Sequence, residues 1–263
     1  MSFGIKVPTN WKDPQGDPDA KHYGDAFKPG EKQTAPGNPP LFQAATMNKY
    51  HTDDQKMLIS AYDEFIDKTC DAICSAWSTW QSSASMAGII VAASMGNGGQ
   101  FLPVPLLPMI LGKGMMGSPM QIKYTTVIAT VINTQWLLYT ASVKLVAAQL
   151  WPMFNAFPSP VVPPTPNPVP MPIASLGMHM PNLVSCSVMK PMMVAMHADP
   201  MAPFASQLFE AICDAFEKCH TQWTASTTVN NVMAMGAVPS CLPPFFPPGP
   251  VVGTAIMAPG GLM

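Results

Sequence analysis

The residues able to do chemistry are few and scattered. Five histidines occur, His22, His51, His179, His197 and His220, and none stands at a metal-ligand spacing from another histidine or a cysteine. Cys219-His220 is the one adjacent pair that could form a nucleophile and its base. A working dyad needs a third group to orient the imidazole, and the sequence identifies none. Asp67 with Asp71, and Glu210 with Asp214, place carboxylates one helical turn apart. Such pairs serve acid–base catalysis in a cleft, but opposite an apolar face they form the solvated side of a helix. Gly96-Asn97-Gly98-Gly99 lacks the lysine and the Ser/Thr of a phosphate-binding loop and reads as a helix stop. Ser82, Ser83 and Ser85 have no nucleophile-elbow context. Methionines such as Met192, Met193, Met233 and Met235 could ligate a soft metal, yet their scatter fits adaptable packing better. Six cysteines without a C-x-x-C pair read as reduced, small hydrophobes. No catalytic residue, metal ligand or cofactor contact is expected, and the chain is not expected to be an enzyme.

Composition points elsewhere. Only 11% of the 263 residues are charged, against about 25% in an ordinary soluble domain, while 31 are proline and 22 methionine. All 13 basic residues are lysine, so the side chain best suited to bidentate contacts with phosphate or guanine is missing. With a net charge of −2, that argues against nucleic acid as a partner. Charge is concentrated between Lys6 and Asp71, whereas Ala72 to Gly112 and Leu145 to Met189 carry no formal charge. Stretches this dry are expected to be buried against neighbouring subunits or in lipid. Lipid is the less favoured of the two, because Tyr124 to Val143 carries Asn133, Gln135 and several threonines, and Met86 to Gly112 is broken by glycines and prolines.

The elements that would hold these residues recur. Phe65-Ile66-Asp67-Lys68-Thr69-Cys70-Asp71 and Leu208-Phe209-Glu210-Ala211-Ile212-Cys213-Asp214 align at an offset of 143 residues, which also superposes Trp80 on Trp223. Thr134-Gln135-Trp136 resembles Thr221-Gln222-Trp223, giving a middle copy. Each copy leads into a proline string, Pro103 to Pro108, Pro158 to Pro163 and Pro243 to Pro247, with the apolar pairs Leu106-Leu107, Val161-Val162 and Phe245-Phe246 inside them. Apolar residues at three-and-four spacing predict a helix through each tryptophan: one from Asp53 to the Gly96 stop, one over roughly Met120 to Trp151, and one from Leu208 to Gly236 or Pro239. The middle helix, apolar on nearly all sides, is expected to be the most buried. The proline strings predict stiff extended straps whose apolar pairs act as pegs.

The expected fold is therefore mainly α: three helix-Trp-proline-strap copies over residues 51–117, 118–172 and 203–263, a Pro- and Met-rich connection over 173–202, and an extended polar arm over 1–50 without the apolar core of a secretory signal. The structural anchors would be Trp80, Trp136 and Trp223, each between its own helix and strap, with Leu106, Leu107, Val161, Val162, Phe245 and Phe246 as pegs. An arginine-free, Met- and Pro-rich chain with a polar arm and repeated Trp-bearing helices resembles minor structural components of bacteriophage particles and contractile injection machines. That resemblance implies a virion location and a non-enzymatic role at a baseplate, hub or neck. The partners would be other structural subunits, including symmetric rings or spikes, and three copies suit a pseudo-threefold body or a partner of threefold or sixfold symmetry. The alternative is a membrane-associated pore or membrane-penetrating component.

Overall fold

The computed structural model describes residues 52–114, 117–177, 180–199, 202, 204–241, 244 and 247–263. The polar arm, His22, His51, His179 and the pair Phe245-Phe246 lie outside them. The chain divides into two compact units, Met1–Asp67 and Lys68–Met263. What is described of the first is the opening part of helix α1 (Thr52–Ser83); everything below belongs to the second.

Five α-helices and eight strands are present among the described residues, so the mainly α expectation is wrong. After α1 come β1 (Met86–Ala92), β2 (Met95–Phe101), α2 (Leu107–Gly114), α3 (Pro119–Ser142), β3 (Leu145–Gln149), β4 (Val161–Pro166) and β5 (Met171–Pro172). Then follow α4 (Cys186–His197), α5 (Ala205–Ser226), β6 (Thr228–Val229), β7 (Val232–Ala237) and β8 (Val252–Met257). The error has one cause, repeated. Each of the three long helices stops well before its expected end, and the residues beyond form a strand. Gly96 to Gly99 lie inside β2 and do not stop a helix. The β-branched run Ile89-Ile90-Val91 opposes continuation of α1, and the extended backbone at Val143 and Thr227 ends α3 and α5. No described helix is long and apolar enough to cross a membrane.

The first two proline strings take separate courses, and most of the third lies outside the described residues. In the first, Leu106 is fully buried and its carbonyl accepts from Met109 and Ile110 N–H, opening α2, while the Leu107 N–H donates to Asn133 Oδ1 at 3.1 Å. Pro108 tolerates this position because the first turn has no acceptor for its missing N–H. Leu106 and Leu107 thus start a helix and are not pegs on a strap. In the second string, Val161 and Val162 begin edge strand β4, pairing with Ala237 and Gly236 of β7. A strand that pairs on one side only can hold Pro163, Pro164 and Pro166, since it loses few ladder donors there.

Six strands form one antiparallel sheet in the order β3-β2-β1-β8-β7-β4. Two cross-strand rows summarise it. The row Ala148, Gly96, Val91, Gly253, Gly236, Val162 is turned inward, with Val91 and Val162 buried. The next row, Gln149, Met95, Ala92, Val252, Ala237, Val161, is exposed in every strand. The inward row is glycine-rich because the sheet curls. Trp151 donates its indole N–H to Thr165 O of β4 at 3.2 Å, and its ring lies 3.3 Å from where a Cβ on Gly96 of β2 would stand. In a flat sheet β2 and β4 would be roughly 19 Å apart, which no single side chain spans. Closing inward leaves no room at β7 and β8: a Cβ on Gly236 would collide with the Val252 carbonyl and one on Gly253 with that of Met235. Replacing Gly236 with Val should therefore cost at least about 2 kcal/mol by overpacking, while Ala237→Val, facing out from the next position, should stay within about 0.5 kcal/mol. Urea unfolding midpoints of the two variants at constant m-value check this.

Candidate assembly surface

The three tryptophans expected as anchors, each between its own helix and strap, converge on one point. Ring centroids are 4.6 Å apart for Trp80 and Trp136, 5.7 Å for Trp136 and Trp223, and 5.9 Å for Trp80 and Trp223, with interplanar angles of 84°, 64° and 67°. One tryptophan from each of α1, α3 and α5 thus forms a triangle of edge-to-face contacts. Trp77 of α1 sits 4.5 Å from Trp136, and Tyr139, Phe216 and Phe101 pack around the group. Trp80 and Trp136 are wholly buried. The indole N–H groups of Trp77, Trp80 and Trp136 have no hydrogen-bond acceptor, whereas Trp223 donates to Gln81 Oε1 at 3.1 Å. Edge-to-face packing directs the positive indole edges at neighbouring π faces and partly compensates the missing acceptors.

Local sequence explains why the helices deliver the rings to one place. Trp80 and Trp223 each stand three residues before the end of their helix, at Ser83 and Ser226. α3 is started by a capping box in which Ser118 Oγ accepts from Gln121 N–H and Gln121 Oε1 accepts from Ser118 N–H, with Pro119 in the first turn. It buries Thr125, Val127, Ile128, Val131, Ile132, Gln135, Trp136, Tyr139 and others, and leaves a stripe through Lys123, Thr126, Thr134 and Leu138 exposed, so it is not covered on nearly all sides as its apolar sequence suggested.

The described titratable side chains take part in packing. His220, adjacent to Cys219, lies 4.5 Å from Tyr139 in a T-shaped ring contact; burial pushes the Tyr139 hydroxyl up to about 12. His197 stacks on Tyr124 at 4.4 Å, and its Nε2 is buried without a partner. Burial, then the nearby Lys123, hold His197 below the usual imidazole range, with Asp199 pulling the other way. The six cysteines form no disulfide with one another, and Cys70, Cys213 and Cys241 are buried. Among the described residues no group of three His, Cys, Asp or Glu side chains could hold a metal ion. A shallow cavity of about 370 Å³ opens over the β1–β2 hairpin, lined by Ala87, Gly88, Gly98, Gly99, Gln100, Leu102 and Lys144, one charge without a complementary group.

The surface that stands out is the exposed row of the sheet. Val161, Val252 and Met95 are 63%, 53% and 37% exposed, and the neighbouring strand positions add Ile90, Met235 and Ile256. None of the eight strands contains a charged residue. Its ladder is trimmed by carboxamides: Asn97 Oδ1 accepts from Ala147 N–H at 2.8 Å and Asn167 Oδ1 from Val232 N–H at 2.9 Å. The sequence reading named Val161 here, but missed the rest of the face because it read β1, β3 and β7 as helix; the usable signal was the alternation Ile89, Ile90, Val91. No protein-family model, no curated protein and no solved structure matches the chain.

Two consequences are measurable. Trp136→Ala should lose about 3–5 kcal/mol of stability, as large buried aromatic truncations do, and Val161→Ala, on the exposed row, less than about 0.5 kcal/mol; chemical denaturation distinguishes them. His197 has a folded pKa below its unfolded one, so the unfolded state binds more protons in between. Its stabilising contribution is full above the ordinary imidazole pKa of about 6.5 and falls as pH drops through that value. Replacing His197 with Phe should flatten the dependence of the thermal midpoint on pH between about 7 and 5 relative to the parent chain.

Proposed function

We propose that this chain is a non-enzymatic structural subunit of a large particle, a bacteriophage virion or contractile tail, where it serves at a baseplate, hub or neck. The observation that carries the reading is the tryptophan triangle together with the strand order. β2 and β1 belong to the first copy, β8 and β7 to the third, and the two edge strands β3 and β4 to the middle copy. Along the sheet the first and third copies each contribute an antiparallel hairpin with its later strand ahead of its earlier one, and the unpaired edge strands β4 and β3 of the middle copy would follow the same order if the open sheet were continued around. Three copies that point three rings at one centre and send their strands around it form a pseudo-threefold body. Such a body seats one chain on a partner with true threefold symmetry, each copy meeting an equivalent patch.

The face available for that seat is the exposed uncharged row. A surface without charge makes no commitment to one orientation of partner dipoles and gains its free energy from apolar burial. The partners are accordingly other structural subunits, a symmetric ring or spike among them, with no role for nucleic acid. Val252→Glu puts a carboxylate at the centre of the row. The side chain is half exposed, so the isolated chain should fold with stability within about 1 kcal/mol of the parent. Assembled particles, purified from the producing cells and quantified by mass spectrometry, should contain the parent chain at one copy per three of a threefold component, and the Val252→Glu chain at under a tenth of that level. Recovery of the parent chain solely as a free monomer, absent from particles, would overturn the proposal.

A further inference from the structure

Helix α4 is divided by a proline. Pro191 stands in its interior, where it offers no N–H to the carbonyl of Ser187 one turn back and crowds that carbonyl with its ring. The two halves on either side are fastened differently. The first, Cys186 to Lys190, is tied to α5 by charged groups: Cys186 N–H donates to Glu217 Oε2 at 2.7 Å, and Lys190 Nζ pairs with Glu210 Oε2 at 2.6 Å. The second, Met192 to His197, has only weak thioether acceptors and one ring to hold it. Gln135 of α3 donates its Nε2 to Met192 Sδ at 3.0 Å, and Cys213 of α5 directs its thiol at Met193 Sδ at 3.6 Å, with Cys213 and Met193 both fully buried. The ring is that of His197.

His197 is 2% exposed and is caught between two aromatic rings, stacked on Tyr124 of α3 at 4.4 Å and edge-on to Phe209 of α5 at 5.6 Å. Because its Nε2 is buried without a partner, protonation would put a charge, and an N–H with nothing to accept it, into this slot. The groups around it are of three kinds. α3 presents Lys123, whose charge opposes an imidazolium; Asp199, two residues beyond the ring, favours one; α5 presents the uncharged Phe209. Burial and then Lys123 outweigh Asp199 and hold the imidazole below its usual range. The helix end is also weakly closed. Ala198 takes a left-handed φ of 52°, which side-chain-bearing residues seldom adopt, and its N–H reaches Val194 O at 3.3 Å.

We propose that α4 is an acid-operated hinge: protonation of His197 expels its ring from between Tyr124 and Phe209, and Met192 to His197 swings away about Pro191 while Cys186 to Lys190 stays on α5. Opening takes up one proton, because the ring regains the ordinary imidazole pKa of about 6.5 once it is in water. The open form binds the proton more tightly than the closed one, so falling pH favours opening. With the closed form unable to accept a proton at all, the gain at pH 5 over pH 7.5 would be at most about thirtyfold. Separation of Met193 from Cys213 uncovers a thiol and the Phe209 ring that are fully buried at neutral pH. Detached from α3 and α5, the second half of α4 is too short to remain helical by itself.

The test pulses the full chain with N-ethylmaleimide at pH 7.5 and at pH 5.0. Each cysteine is read by peptide mass spectrometry and normalised to the chain unfolded in urea at the same pH. Cys213 should be alkylated at least about fivefold faster at pH 5.0, within the thirtyfold limit, while Cys241, buried elsewhere, stays protected. His197→Phe fills the slot with an uncharged ring and should make Cys213 labelling equal at the two pH values. Lys123→Gln, at an exposed position that leaves folding intact, lets the closed form accept a proton more readily and should reduce the acceleration. Amide exchange followed by NMR locates the hinge: at pH 5.0 Met192 to Ala198 should lose protection while Met189 and Lys190 keep theirs. Cys213 and Cys241 rising together would mean that the whole unit unfolds in acid, and an acceleration that persists in His197→Phe would mean that another group titrates; either result overturns the proposal. Neither bears on particle assembly, so this inference and the proposed role fail independently.

Discussion

The rest of the structure depends on the requirement that three indole rings share one centre. A tryptophan triangle with sides between 4.6 and 5.9 Å leaves no freedom for the helices that carry it to slide. The rings interlock edge to face, and side chains in cores occupy discrete rotamers at crystal-like density. Because Trp80 and Trp223 stand equally close to the ends of α1 and α5, pinning the rings also pins the points where the strands begin. The sheet inherits its arrangement from the aromatic core. Phe101 of β2, in contact with Trp80 at 5.7 Å, is the one strand residue in the group and ties the two layers together.

The sheet solves a second problem, how to be narrow inside and dry outside without aggregating. Curling tightly enough for Trp151 to reach both β2 and β4 crowds the inner row, and Gly96, Gly236 and Gly253 are what fit there. The outer row has the opposite character, with larger apolar residues in the open. An uncharged, exposed sheet is a hazard at its edges, where free ladder groups would pair with another chain. Here one edge is β4, with three prolines in six residues, and the other is β3, five residues long and interrupted by positive φ at Ala147. Each edge is blunted, so the face remains available while lateral strand addition is suppressed.

How much was legible in the sequence follows from the same residues. The offset between Phe65–Asp71 and Leu208–Asp214, and the equivalence of the tryptophans, could be read because helices impose a spacing on their apolar faces. That spacing located α1, α3 and α5 and picked out the three rings at the centre. The strands could not be read in the same way. Met86-Ala87-Gly88, Leu145-Val146-Ala147-Ala148 and Val232-Met233-Ala234-Met235 are dominated by Ala, Met and Leu, residues with high helix propensity, and tertiary pairing overrides that preference. Glycines on the inner row then looked like helix stops, although their task is close approach of strands. Proline strings misled for a related reason: proline fixes φ but does not choose between a helix start at Leu107 and an edge strand at Val161. The contact of Cys213 with Met193 was invisible because it forms only where α4 folds back on α5.

The middle copy shows why three similar segments in one chain differ in physical consequence from three separate chains. In the first and third copies the two strands are hairpin neighbours, β1 with β2 and β7 with β8. In the middle copy β3 and β4 are parted by Leu150 to Pro160 and lie on opposite edges, so the ring of strands stays open at one place. A true homotrimer would have to close or open identically at all three positions. Covalent linkage lets one junction diverge, and the opening is where Trp151 and Phe154, stacked at 5.7 Å and both fully buried, fill the space that a paired strand would take. In the role proposed above, one of the three directions toward a threefold partner would thereby be marked as distinct, which is what an adaptor between a symmetric ring and a single, unique element requires.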